Sequence, residues 1–152
     1  GPQQPELGLD LDPGLASIEA DAVRLRQLLH NLIRNAAEAL EGQASGRIGI
    51  STHRLGEGAS ALAEILVRDN GPGINAGLLG RIFDPYVTGK TRGTGLGLAI
   101  VRRLVEEHGG TVSAWNQPGG GACIRVTLPV SQRDRDAQPD SRPRRGGERR
   151  QA

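Results

Sequence analysis

A chain of 152 residues suits a single domain, which at this size buries about two thirds of the surface its unfolded form exposes. Its formal charge of +2 is uneven: the last 22 residues hold seven Arg against four Asp or Glu, so the rest is near −1 and the high isoelectric point belongs to the tail. The lone cysteine, Cys123, excludes an internal disulfide framework and fits a reducing, cytoplasmic setting; the lack of any run of about 18 apolar residues or of a leader gives no span or secretion signal, and leaves open a longer, inner-membrane-anchored parent.

Gly1 to Pro5 reads as a protease scar and a loose lead-in. Leu7, Leu9 and Leu11 alternate with Gly8 and Asp10, and Ala16 to Glu19 is extended in character, so two short edge strands are expected around the Asp12-Pro13-Gly14 turn. Asp21 is a good N-cap, and Leu25, Leu28, Leu29, Leu32, Ala36 and Leu40 then recur at helical spacing until Gly42 stops the pattern. Arg47 to His53 and Leu62 to Asp69 are β-rich runs that predict a hairpin.

From Asn70 to Gly95 the chain is glycine-rich and without a stable period, apart from one expected turn of helix around Ala76 to Ile82; loops this long are usually functional. Leu96 to His108 is helical again, with Leu96, Ile100, Leu104 and Val105 on the buried stripe and Gly109 as the stop. Thr111 to Trp115 and Ala122 to Leu128 are strands joined by the Gln117 to Gly121 turn, with Ile124, Val126 and Leu128 facing inward. Trp115 and Cys123 read as packing residues without chemistry. Residues 131 to 152 are too rich in Arg, Asp, Gln, Pro and Gly to bury a core and are expected to form a disordered Arg-rich tail. Its interleaved acids, with no aromatic to stack on bases, favour a solvated linker over a nucleic-acid contact.

Three constellations carry chemistry. Asn31 and Asn35 stand one turn apart with Gln27 and Glu38 on a polar stripe expected opposite the leucines. Two Asn mid-helix cost about 0.5 kcal/mol or more each relative to Ala, and carboxamide oxygens suit Mg²⁺; taken alone, the pair more often marks a solvated face. Asp69-Asn70-Gly71-Pro72-Gly73 ends a strand on a carboxylate and turns through glycines, which fits either an ordinary turn or an acceptor for an amino group such as that of adenine. Gly93-Thr94-Gly95-Leu96-Gly97-Leu98 opens a helix, whose free N–H groups favour phosphate. The spacing is neither the dinucleotide fingerprint nor, because Asp84 stands where the first glycine is required, a P-loop through Lys90.

In that order, with Phe83-Asp84-Pro85-Tyr86 between the second and third, these segments resemble the N, G1, F and G2 boxes of sensor histidine kinases over about residues 7 to 129. The run from Phe83 to Lys90, the glycine run and Glu106-Glu107-His108-Gly109-Gly110 look most like the nitrogen-regulation kinases. The resemblance implies the Bergerat ATP fold: an α+β two-layer sandwich over residues 6–130, with a mixed, mostly antiparallel sheet, helices on one face and an ATP lid at about 75–94. It implies ATP and Mg²⁺ as cofactors, with Asn35 on the metal and Asn31 close to metal and phosphates. Asp69 would accept from the adenine amino group, Gly71, Gly73 and Ile74 would shape that pocket, and Gly93, Thr94, Gly95, Leu96, Gly97 and Leu98 would border the phosphates. Many family members carry a cation or Tyr three residues after the metal-binding Asn, but this chain has Glu38, so the charge falls to Lys90 or Arg92 in the lid, which join Asn31 as the catalytic candidates.

Where the fold serves ATPases, the position of Asn31 is typically a glutamate that activates water; an amide has no basic lone pair, which favours a kinase over a hydrolase. A decayed nucleotide-binding or interaction module is the remaining alternative. None of His30, His53 or His108 sits in a phosphoacceptor setting, so little autophosphorylation is expected from this chain, which reads as a monomer. The parent's dimerisation helices would supply the acceptor histidine, and a response regulator would act downstream.

Overall fold

The computed structural model describes residues 4–13, 15, 22–87 and 96–130. Seven elements follow in chain order: β1 Glu6–Asp10, α1 Ala22–Ala39, β2 Arg47–Leu55, β3 Leu62–Asp69, α2 Gly97–Glu107, β4 Thr111–Asn116 and β5 Ala122–Pro129. The sheet runs β1-β2-β3-β5-β4, with β1 parallel to β2 and every other pair antiparallel. This is the expected mixed sheet. The second edge strand, at Ala16 to Glu19, and the Asp21 cap lie outside the described residues.

The two helices pack on one face of the sheet. Leu28, Leu32, Ala36 and Leu40 are buried as their spacing predicts, against Ile48, Ile50, Ile65, Val67, Ile124, Val126 and Leu128 from alternate positions of the three central strands. On α2 the buried stripe is turned by about a residue from expectation: Val101 is fully buried with Leu104 and Val105, whereas Leu96 and Ile100 are only half-buried. The helix touches both α1 and the sheet, so it needs a wider apolar face than a single row supplies. Arg24 of α1 donates to Glu107 of α2 at 2.6 Å, tying the helices at their far ends.

Helix α2 ends in a Schellman motif that accounts for its two glycines. The Gly109 N–H donates to the Glu106 carbonyl and the Gly110 N–H to that of Val105, at 3.0 and 2.9 Å, with Gly109 at φ 74°. His108 Nδ1 donates to the Leu104 carbonyl at 2.6 Å, satisfying another orphan acceptor and giving this histidine a capping role. A Cβ on Gly110 would collide with the Thr127 carbonyl oxygen, so the glycine also sets how closely the helix end meets β5.

No helix covers the other face of the sheet among the described residues, yet Leu66, Cys123 and Thr127 are buried there. Long side chains close over them: Arg125 Nε donates to Glu64 Oε2 at 2.6 Å, His53 Nδ1 lies 3.2 Å from Glu64 Oε1, and Arg68 donates to Ser51 Oγ at 3.2 Å. Burial pushes the Cys123 thiol above its ordinary pKa, with Arg68 offsetting only part of that, so the neutral form is favoured. At the edge, β1 pairs correctly but leaves Leu7 and Leu9 more than half exposed. The period-2 pattern there marks a strand without marking a buried one.

Candidate functional site

Asn31, Asn35 and Ala39 follow one another by full turns on α1, a row of about 12 Å along the axis. The structure corrects the expectation that the two Asn lie opposite the leucines. Both are half-buried, beside the core stripe rather than across from it, because α2 and the loop after β3 come up against this flank. At one end of the row, a Cβ built on Gly97 would stand 3.7 Å from Asn31 Oδ1; at the other, one on Gly71 would stand 3.0 Å from the Ala39 carbonyl oxygen. Two of the three constellations thus meet the first from opposite ends.

The Asn31 carboxamide is oriented. Its Nδ2 donates to the Gln27 carbonyl one turn back at 3.0 Å, which leaves Oδ1 on the Gly97 side as an acceptor for a cation or a donor. Glu38, where the resemblance implied a cation or Tyr, is paired with Arg34 at 3.2 Å in a local helix pair. Helix α2 begins at Gly97 with Leu96 as its N-cap, whose apolar side chain makes no capping bond, and its first turn faces the Asn31 flank of α1. The Leu98 side chain packs against the core cluster and helps seat the helix. Lys90, Arg92, Gly93, Thr94 and Gly95 lie outside the described residues, as does the second half of the expected lid.

At the other end Asp69 closes β3 with only 7% of its surface exposed. Its Oδ1 accepts from the Gly71 N–H at 2.9 Å and the Ala122 N–H at 3.3 Å. These two fixed donors hold the carboxylate in one orientation, and its described hydrogen bonds all fall on Oδ1, leaving Oδ2 for a ligand donor. The carbonyl of the same residue accepts from Gln117 Nε2 at 3.1 Å, and the same nitrogen reaches the Ala122 carbonyl at 3.3 Å. Gly121, at φ 85°, lies so close that a Cβ would collide with the Asp69 carbonyl oxygen. Asn70 turns away to accept from the Arg47 N–H at 2.6 Å and donate to the Ser45 carbonyl at 2.9 Å.

The chain then leaves through Gly73, at φ 83°, and Ile74, whose N–H and carbonyl both bond the Asn116 carboxamide, at 2.7 and 2.8 Å. The expected helical turn at Ala76 to Ile82 is a turn followed by a 3-10 segment, Leu79–Arg81. Ile82 is buried, and Phe83 packs against the core while Arg102 holds Asp84 at 3.1 Å, so the Phe-Asp-Pro-Tyr segment is a hinge post. Tyr86 is the exception, 77% exposed at φ 63°.

Asn116, Gln117 and Gly121 are the residues that sequence reasoning missed, having read them as a hairpin turn and its flank. The signal available was weak: consecutive glycines mark a turn, but nothing local names Asp69, 48 residues away from Gln117, as the group they serve. A cleft of about 300 Å³ beside Arg47, Arg68, Gly8 and Gly49 also takes in Asp69, Asn70 and Gln117, so it adjoins the Asp69 brace.

No group of three or more His, Cys, Asp or Glu that could hold a metal occurs among the described residues. A cation here would rest on carboxamide oxygens and on the ligand's own oxygens, which Asn31 Oδ1 fits in chemistry and exposure. No helix among the described residues is long and apolar enough to cross a membrane.

Comparison with known proteins bears on this geometry. Residues 20–132 match the family described as histidine kinase-, DNA gyrase B- and HSP90-like ATPase. Sensor histidine kinase ZraS of Klebsiella oxytoca is 43% identical over 126 residues, 83% of this chain and 26% of that protein. Sensory histidine kinase/phosphatase NtrB of Rhodobacter capsulatus is 38% identical over 132 residues, 82% of this chain and 37% of that protein. The chain therefore spans between about a quarter and two fifths of these relatives. Among solved structures, the catalytic domain of histidine kinase ThkA is 33% identical with a TM-score of 0.71, covering 86% of this chain and 82% of that one. NtrB bears out the likeness to nitrogen-regulation kinases, and ZraS shows that the likeness is not confined to them.

Proposed function

The chain belongs to the histidine kinase-, DNA gyrase B- and HSP90-like ATPases, among the catalytic domains of sensor histidine kinases, and from that premise we propose that it binds ATP with Mg²⁺ and donates the γ-phosphate to a histidine of its parent protein. The observation that carries this reading is the row Asn31, Asn35, Ala39, with a helix N-terminus at one end and a braced carboxylate at the other. A nucleotide laid along it puts its base at Asp69 and its phosphates at Gly97.

In this reading Asp69 Oδ2 accepts from the adenine amino group, while Gly71, Gly73 and Ile74 bring backbone close to the base. Asn35 and Asn31 hold Mg²⁺, which supplies charge neutralisation to the phosphates. The first N–H groups of α2, with Gly93, Thr94, Gly95, Leu96, Gly97 and Leu98, border the phosphates. Lys90 and Arg92 in a lid of about 75–94 meet the remaining charge.

Phosphoryl transfer asks the protein mainly for positioning and electrostatics, which these groups provide without a covalent step. Hydrolysis would need a base for water. Asn31 cannot serve, because its oxygen is not basic and its nitrogen is committed to the Gln27 carbonyl. The nucleophile must then come from the parent's dimerisation helices, with a response regulator receiving the phosphate afterwards.

The test mixes this chain with labelled ATP, Mg²⁺ and the parent's separately produced helical segment. Acid-labile label on that segment, and little on the chain, is the expected outcome. Label on the chain alone, lost on His30→Ala, contradicts the reading.

A further inference from the structure

The clasp at the start of the lid has a chemistry that a carboxamide supplies. Ile74 donates its N–H to Asn116 Oδ1 at 2.7 Å and accepts from Asn116 Nδ2 at 2.8 Å, across 42 residues of sequence. Both backbone groups of one residue are thereby held by a single planar carboxamide. Neither can rotate without breaking its bond. Asp at this position would keep the acceptor and lose the donor; Gln would carry both on a stem one methylene longer.

The preceding glycine matches the clasp. Gly73 stands at φ 83°, and a Cβ there would lie 2.8 Å from Asn116 Oδ1, so this carboxamide can reach Ile74 only past a residue without a side chain. The following residue takes up the turn at once. Asn75 Oδ1 accepts from the Gly77 N–H at 2.8 Å, and its carbonyl accepts from Leu78 and Leu79 at 2.9 and 3.1 Å. The chain is next held at Ile82 and Phe83, which pack into the core.

Asn116 is exposed, and exposed hydrogen bonds contribute little to global stability, so the pair is poorly placed as a folding device. It is well placed as a direction-setter. It joins the end of β4, next to Gln117 and its bond to the Asp69 carbonyl, to the residue where the lid departs.

We propose that Asn116 is a positioning residue for the nucleotide lid, fixing through Ile74 the point and direction in which the chain leaves the adenine end. The inference rests on the ATP reading above. Losing the clasp leaves the fold and the braced Asp69 carboxylate in place and makes nucleotide binding order the hinge itself, at a cost to affinity.

The test measures competition of ATP-Mg and of adenosine against a fluorescent adenine nucleotide, with the thermal midpoint alongside. Asn116→Asp is expected to weaken ATP-Mg about fivefold or more and adenosine, which has no phosphates for a lid to meet, less than about twofold, with a midpoint within a few degrees of the unaltered chain. Gly73→Ala attacks the same clasp from the other side, and the double variant should bind ATP-Mg no more weakly than the worse single one; independent losses would multiply instead. ATP-Mg affinity unchanged in Asn116→Asp, or equal losses for ATP-Mg and adenosine, overturns the inference while leaving the ATP reading standing. An unaltered chain that binds neither ligand overturns both.

Discussion

The two ends of the Asn31-Asn35-Ala39 row on α1 are built in different ways. At the Asp69 end nearly everything is bracing: two backbone N–H groups on Oδ1, Gln117 on the carbonyl, Gly121 pressed against the same peptide, Asn70 tied to Arg47 and Ser45. At the Gly97 end the chemistry rests on residue identity: a carboxamide oriented by the Gln27 carbonyl and a glycine at the start of α2. The difference teaches that one end is specified by packing geometry, which tolerates no change of shape, and the other by the kinds of atoms presented. A base has a fixed outline with a few polar points, whereas phosphate and metal need charge and donors within reach.

Substitutions separate the two ends, and the largest effect is expected at the braced one. Gly121→Ala should lower unfolding free energy by about 3 kcal/mol and abolish ATP binding, because the methyl would meet the Asp69 carbonyl at a positive φ. Urea denaturation and a binding titration check this, and a stable variant that still binds would break the comparison. Asp69→Asn keeps an oxygen for the Gly71 and Ala122 N–H groups while offering an amino group to the base. Affinity for ATP should fall about a hundredfold with stability changed by less than about 1 kcal/mol.

At the other end, Asn35→Ala should weaken ATP about tenfold in the presence of Mg²⁺ and hardly at all without it, a contrast visible in paired titrations with and without a chelator. Breaking the hinge post with Arg102→Ala should matter least for stability. The Asp84 pair is about two fifths exposed on each side, and its loss should cost no more than about 0.5 kcal/mol in thermal unfolding. On the open face Cys123 should not react with a thiol reagent in the folded chain near pH 8 and should react once urea unfolds it, since burial both shields it and disfavours the thiolate.

The same division governs what the sequence could reveal. Asn31, Asn35 and Gly97, which the fold brings to one flank of α1, stood out in the sequence because the role proposed for them depends on residue type at fixed helical spacing. Strand and helix bounds were legible too, since the β2–β3 hairpin and the leucine row of α1 follow simple periods. Asn116 and Gln117 were not legible, because a carboxamide at the end of a strand looks like any turn residue until the fold brings Ile74 and Asp69 to it. The burial of Val101 escaped for a related reason: contact with α1 and the sheet together widens the stripe beyond what one helical row predicts. Gly110 was noted as part of a motif, but its reason, the approach of Thr127, is tertiary.

The most direct test is calorimetric titration of ATP into the unaltered chain and into Asp69→Asn, each with and without Mg²⁺. Binding that depends on Mg²⁺ in the unaltered chain and is lost in the variant, at little cost to its fold, is the expected result. No heat of binding at millimolar ATP, or equal affinity in both proteins, would contradict the assignment of this row of residues to a nucleotide.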